Sequence, residues 1–76
     1  MNPQNQILDA RGLHCPLPLL KAKRIISQLA PGDQLVVLAT DPASKSDFKA
    51  WTDLTKHQLL SIEHIAGEFR FLLLKE

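Results

Sequence analysis

A short segment around the only cysteine contains the residues whose types suggest a specific chemistry. His14, Cys15, Pro16, Leu17 and Pro18 follow one another, and no second cysteine occurs in the 76 residues. The thiolate is the nucleophilic form of cysteine, and a helix N-terminus lowers the pKa of a thiol that lies against it. The chemistry of this segment therefore depends on where Cys15 lies relative to a helix.

The residues that follow Cys15 predict a helix that begins at Pro16. Proline is favoured at the first helical position, and Cys15 would then be the N-cap with its sulfur facing the positive end of the helix dipole. Because Pro16 and Pro18 have no N–H, we expect the Leu17 N–H to donate to the sulfur. Both rings also fix the backbone. The sequence thus predicts an exposed, rigidly held thiolate shaped by Pro16, Leu17 and Pro18; a buried, inert cysteine is the alternative interpretation.

The rest of the chain limits what this thiol could do. A disulfide oxidoreductase or a peroxidase with internal turnover needs a second cysteine, which is missing. A cysteine hydrolase needs a histidine base and an oxyanion hole in a cleft, for which so short a chain offers little depth. A carrier that takes a group from one protein and gives it to another needs only one thiol, and sulfane sulfur held as a persulfide suits it.

Two other function classes stay open at this point. A noncatalytic protein-interaction domain would make Cys15 dispensable. A nucleic-acid-binding module is disfavoured by the net charge of +1 and by the presence of only one Trp, three Phe and no Tyr for base stacking. We therefore expect no direct contact with nucleic acid.

Hydrophobic periodicity predicts the order βαβαββ for the elements that position Cys15. The predicted strands are 4–8, 35–39, 59–65 and 69–74, and the first predicted helix is 16–29. The second strand is expected to be buried on both faces because its apolar run is continuous. The second helix is expected to begin with Asp41 as its cap and Pro42 at its first helical position. Its predicted apolar stripe is Phe48, Trp51 and Leu54.

These elements predict the fold class. Helical crossovers make the strands they join parallel and right-handed, and a tight turn at Gly67-Glu68 makes the last pair antiparallel. We expect a single domain over 1–76 of the α/β class, an α+β two-layer sandwich with a mixed four-stranded sheet and both helices packed on one face. Leu72 and Leu74 would lie on the open face, where a partner or dimer contact is a hypothesis.

Composition predicts a cytoplasmic protein. The first residues carry no basic region followed by an apolar stretch, and the longest apolar run, 35–39, is far too short to cross a membrane. A lone cysteine also excludes an internal disulfide framework, which small exported domains usually need. We therefore expect no membrane association.

The sequence resembles the TusA-type (SirA-like) sulfur carriers over nearly the whole chain. The matching residues are Leu8-Asp9, Gly12-Leu13, Cys15-Pro16-Leu17-Pro18, Pro31-Gly32, 39–42, Asp47, His57 and 70–72. The resemblance implies that Cys15 bears the persulfide. A cysteine desulfurase or rhodanese-like donor would load it, and a downstream relay protein would accept the sulfur. It implies a sulfurtransferase-type carrier, without metal or organic cofactor, rather than an enzyme that turns over a small substrate alone.

The resemblance also bears on the pathway. The family member that acts in tRNA 2-thiouridine synthesis looks like Cys-Pro-Glu-Pro after a basic residue, whereas this chain has Leu17 in place of the acid and His14 before the thiol. tRNA thiolation and other sulfur metabolism therefore both remain hypotheses for the use of the sulfur.

Polar residues elsewhere are weaker candidates for the site. Asp47 and Arg11 are candidates to reach the cysteine end of the molecule, and Arg11 is the candidate to stabilise an anionic persulfide. His14 is a further candidate because it adjoins the thiol. The three histidines lack the paired spacing of a metal site, so no metal is expected.

The first predicted helix also carries a basic cluster, Lys21, Lys23 and Arg24. Such a cluster is typical of a solvated helix face. The alternative interpretation is that it docks an acidic protein partner.

Overall fold

The computed structural model describes residues 5–76, which form a mixed four-stranded sheet with two helices. The strands are β1 (Asn5–Ala10), β2 (Gln34–Ala39), β3 (Gln58–Ile65) and β4 (Glu68–Leu74), and the helices are α1 (Leu17–Ile26) and α2 (Ala43–Leu54). The strand order is β1-β2-β4-β3, in which β1 pairs with β2 in parallel and the other pairs are antiparallel. The predicted element order and fold class are confirmed.

One face of the sheet forms the core with both helices. Buried side chains of β2 and β4 pair across this face: Leu35 with Leu73, Val37 with Phe71 and Ala39 with Phe69. Ala22 and Ile26 of α1 and Phe48 of α2 pack onto them. Because side chains alternate along a strand, the intervening residues of β2 point to the other face and are half-buried. The prediction that β2 is buried on both faces is therefore wrong, since both helices cover the same side.

The ends of the helices differ from the prediction. α1 begins at Leu17 and ends at Ile26, whose carbonyl accepts a hydrogen bond from Lys75 Nζ at 2.9 Å. α2 begins at Ala43, so Pro42 is its N-cap and not its first helical residue. Leu54 is 87% exposed. Six residues of helix turn it about 120° away from Phe48, so these two residues cannot share one apolar stripe. Trp51, between them, is half-buried against the core.

The strands are close to their predicted bounds. β1 continues to Ala10, and position 4 of the predicted strand lies outside the described residues. The β3–β4 turn is formed by Ala66 and Gly67, one residue earlier than predicted, with φ of 53° and 78°. Two positive φ values are typical of the type I′ turn that joins twisted hairpin strands.

Within residues 5–76, neither helix covers the second face of the sheet, as predicted. Ile7 and Ile65 are each 68% exposed, and Leu72 and Leu74 are half-buried there. Of the helices in residues 5–76, neither is long and apolar enough to cross a membrane.

Candidate functional site

Cys15 is exposed on the loop from β1 to α1, at the edge of the sheet where β1 and β2 end. Ala10 and Ala39 pair at the ends of these parallel strands, so the two loops that follow them meet. Two hydrogen bonds join the loops: the Gly12 N–H donates to Thr40 Oγ1 at 2.9 Å, and the Cys15 N–H donates to Asp41 Oδ2 at 2.5 Å. The backbone of the cysteine is thereby held by the loop that leads into α2.

The start of α1 differs from the predicted arrangement. Pro16, joined to Cys15 by a cis peptide bond, is the N-cap, and no side chain caps the helix. The Leu17 N–H donates to the His14 carbonyl at 2.9 Å, so the predicted hydrogen bond from Leu17 to the sulfur is wrong. The prolines remove two of the first four N–H donors of the helix, and the Leu17 N–H is used by the His14 carbonyl. The hydrogen-bond partner of the sulfur lies outside α1.

That partner is a carboxylate on the second helix. The Cys15 S–H donates to Asp47 Oδ2, with 2.5 Å between sulfur and oxygen, although the two residues are 32 positions apart. This hydrogen bond raises the pKa of the Cys15 thiol, and partial desolvation and the negative charges of Asp47 and Asp41 act in the same direction. The prediction that the helix dipole favours the thiolate is corrected, because the group that faces the sulfur is an anion and not a helix N-terminus.

Asp41 ties the cysteine to the start of α2. Its Oδ2 accepts the Cys15 N–H, and its Oδ1 accepts the N–H of Ala43 at 3.0 Å. These two donors, with a contribution from the charge of His14, hold the pKa of Asp41 below its usual value. The Asp41 side chain thus accepts an N–H at the start of α2 as predicted, although Asp41 stands one residue before the N-cap, Pro42. The second bond of Asp41, to Cys15, could not be read from local sequence.

The other residues of the cysteine segment divide between core and solvent. Pro18 is fully buried, so it anchors the first turn of α1 in the core in addition to fixing its backbone. Leu17 is 45% exposed beside the cysteine, and His14 is exposed. The site is thus anchored at Pro18 and open to solvent at Cys15.

Arg11 does not approach the sulfur. Its Nε and one terminal nitrogen each lie 2.9 Å from the carboxylate of Asp9, and its other terminal nitrogen lies 3.6 Å from Glu68. Asp9 lies between the inward-facing Leu8 and Ala10, so this ion-pair cluster is on the open side of the sheet. The geometry does not support the predicted contact of Arg11 with a persulfide. Of the two candidates named for the cysteine end, Asp47 is the one that reaches it.

Lys21, Lys23 and Arg24 are exposed on α1, and two of them lie in its last turn. Their charges are therefore available on the surface of the helix that follows the cysteine. Within the part of the chain that the structure describes, no three His, Cys, Asp or Glu side chains come together as metal ligands.

Comparisons with known proteins agree on one family. Residues 6–75 match the sequence model of a family described as Sulfurtransferase TusA. A sulfur carrier protein TusA of Allochromatium vinosum is 44% identical over 71 residues, which are 93% of each chain. The chain belongs to the TusA family. A second TusA relative, from Pseudomonas paraeruginosa, is 35% identical over 75 residues, covering 99% of this chain and 95% of that one. The family predicted from the sequence is confirmed.

A solved structure shares the fold of this chain. A SirA-like protein of Desulfitobacterium hafniense superposes with a TM-score of 0.81 at 23% identity, covering 91% of this chain and 95% of that one. This likeness supports the two-layer fold described above.

Proposed function

We propose that this protein is a sulfur carrier that accepts sulfane sulfur as a persulfide on Cys15 and passes it to an acceptor protein. The observation that carries the proposal is the exposed Cys15 thiol, fixed by Asp41 and Asp47, in a chain of the TusA family. The names of its relatives, sulfur carrier protein TusA, support the same role. An exposed thiol with a defined position can be reached by the sulfur atoms of two different proteins in turn.

The TusA family implies a sulfur donor and a sulfur acceptor. We propose a cysteine desulfurase or a rhodanese-like protein as the donor, a relay protein as the acceptor, and the cytoplasm as the place where the single thiol stays reduced. The products of acceptor chemistry would be thiolated tRNA or another sulfur-containing compound. In this role Cys15 is the residue that bears the sulfur, and Pro16, Leu17 and Pro18 shape its surroundings.

Intact mass measures the proposed loading directly. The protein is incubated with a cysteine desulfurase, cysteine and pyridoxal phosphate, and each added sulfur should increase its mass by about 32 Da, reversibly on reduction. Cys15→Ser should abolish the mass increase and leave the fold intact, since the side chain is exposed. A double variant, Cys15→Ser with Ser27→Cys, places an exposed thiol at the end of α1 and serves as the control.

The control separates a carrier site from any accessible thiol. The Ser27→Cys double variant should react with iodoacetamide but take little sulfur from the desulfurase. Wild-type protein that gains no sulfur, or a double variant loaded as fast as wild type, would contradict the proposed function. A noncatalytic interaction module would show the first of these results.

We also propose that the basic cluster on α1 docks an acidic surface of the donor. Reversing Lys21 and Lys23 to Glu should lower the loading rate about tenfold at low salt and weaken its salt dependence, because charge complementarity mainly accelerates association. Reaction with iodoacetamide should not change. Lys49→Glu with Lys56→Glu is the matched control, as both side chains are also exposed. Equal effects of the two charge reversals would indicate that the cluster is only a solvated helix face.

A further inference from the structure

We infer that Asp47 is the proton acceptor of the sulfur-transfer step: it takes the proton from the Cys15 thiol as sulfur arrives and delivers it to the departing thiolate of the donor. This inference rests on the proposed function and adds a catalytic residue to it. It starts from the hydrogen bond between Cys15 Sγ and Asp47 Oδ2, which joins a carboxylate directly to the reacting atom.

The geometry distinguishes Asp47 from the other acid at the site. Asp41 uses its two oxygens to accept the N–H groups of Cys15 and Ala43, so it holds backbone. Asp47 lies in α2, a regular helix of 12 residues, and meets the side chain of the cysteine. A proton acceptor has to lie within hydrogen-bond distance of the proton that it removes, which Asp47 does. Asp47 is half-buried while Cys15 is exposed, so an incoming persulfide can approach the sulfur from solvent.

The thiol of this protein needs such an acceptor. An ordinary cysteine is ionised only to a few per cent at neutral pH, and the carboxylate beside Cys15 raises its pKa further. In the hydrogen bond to Asp47 the sulfur is the donor and carries its proton, and a thiol is a weaker nucleophile than a thiolate. A carboxylate that suppresses the free thiolate at rest can still accelerate attack, because it receives the proton while the new bond forms.

The step balances without any further reactant. Cys15 S–H and a donor persulfide, R–S–S–H, give Cys15 S–S–H and R–S–H. The Cys15 proton moves to Asp47 as its sulfur bonds to the outer sulfur of the donor. The donor S–S bond breaks, its electron pair goes to the inner sulfur, and that sulfur takes the proton from Asp47. No net oxidation occurs, and the reverse sequence hands the sulfur to an acceptor thiol.

Asp47→Asn tests this role because its two readouts should move in opposite directions. Removing the charge lowers the pKa of Cys15, so alkylation by iodoacetamide at pH 7, which consumes free thiolate, should become faster. Single-turnover loading by a persulfidated cysteine desulfurase should become slower, by about 10²-fold at saturating donor, the low end of what a positioned proton acceptor contributes. The donor concentration for half-saturation should stay the same.

Asp53→Asn is the matched control, since it removes the same charge from an exposed position of the same helix and should change neither rate. Asp47→Ala should be slow as well and should regain loading with added formate. Parallel increases in alkylation and loading would overturn the inference, as would loading that is unchanged in Asp47→Asn. In both cases the proposed sulfur-carrier function would still hold if the wild-type protein gained sulfur. Wild-type protein that gains no sulfur would instead contradict the proposed function itself.

Discussion

Two carboxylate clusters lie at the same edge of the sheet, on opposite sides of it, and they favour different charge states of the group that they face: a cation in one cluster and an uncharged thiol in the other. On the open side, Asp9 and Glu68 flank the guanidinium of Arg11. On the helix side, Asp41 and Asp47 face the backbone N–H and the thiol of Cys15. The ion pairs that the structure has within residues 5–76 all belong to the first cluster.

The group that each carboxylate faces accounts for the difference. Arg11 cannot give up its proton, so its hydrogen bonds to Asp9 hold the pKa of that carboxyl at about 2, and the carboxylate raises the pKa of Arg11. Cys15 can give up its proton, and the carboxylate of Asp47 therefore raises the pKa of the thiol. The carboxylate paired with Arg11 forms an ion pair in which no proton is transferred. The carboxylate paired with Cys15 can accept the proton of the thiol.

Replacing Asp41 should disrupt the helix-side cluster, and it should lower stability more than the Asp9 substitution considered below. Asp41→Ala leaves the N–H groups of Cys15 and Ala43 without their acceptor. Loss of a helix cap alone lowers the melting temperature of a domain of this size by about 4–8 °C. We expect a decrease in that range, together with slower sulfur loading, because both the cysteine loop and the start of α2 lose a common anchor.

Thermal unfolding followed by circular dichroism measures the first effect, and the mass assay measures the second. Asp41→Asn keeps an oxygen that can accept one of the two bonds, so its melting temperature should fall between those of wild type and Asp41→Ala. Equal stability of Asp41→Ala and wild type would show that solvent replaces the carboxylate at both N–H groups and that the anchor is dispensable.

The sequence predicts some of these contacts and not others. The difference lies in how far apart the two contacting residues are in the chain. The pairing of Asp9 with Arg11 is local, and the cap at Asp41 follows from the Asp-Pro pair that precedes α2. The relative directions of the strands and the side of the sheet taken by the helices follow from right-handed crossovers and alternation, whereas the position of β4 between β2 and β3 does not. Apart from that position, these features depend on neighbours in the chain or on general rules of chain geometry.

The chemistry of the thiol depends on a contact that no local pattern contains. Cys15 and Asp47 meet because β1 and β2 end at one edge and the loops that follow them converge, 32 positions apart in sequence. The predicted effect of the α1 dipole on Cys15 leaves out the carboxylate of Asp47, whose hydrogen bond raises the pKa of the thiol. One signal was available: in a β-α-β-α unit with parallel strands, the first turns of both helices lie at the same edge, so an acid early in α2 is a candidate neighbour for a residue before α1.

The ion pair of Asp9 with Arg11 is the contact whose loss should affect stability least. Arg11 lowers the pKa of Asp9 to about 2 from its ordinary value of 3.8. The largest contribution is the hydrogen bond from the Arg11 side chain, and the next is the hydrogen bond from the Arg11 backbone N–H. A carboxyl whose pKa is lower in the folded state contributes stability above its unfolded pKa and loses it as the pH falls through the folded value. In urea melts, wild type should therefore be slightly more stable than Asp9→Asn above about pH 5, and the difference should decline between about pH 4 and pH 2.

The size of that difference should remain small because both side chains are exposed, and added salt should reduce it further. Iodoacetamide reactivity of Cys15 should be the same in wild type and Asp9→Asn, since the Asp9 cluster lies on the far side of the sheet from the sulfur. Glu63→Asn is a matched control, as it removes an exposed acid from β3. A changed alkylation rate in Asp9→Asn alone would mean that the loop from Arg11 to Cys15 transmits the state of one cluster to the other, and the two could no longer be treated as independent.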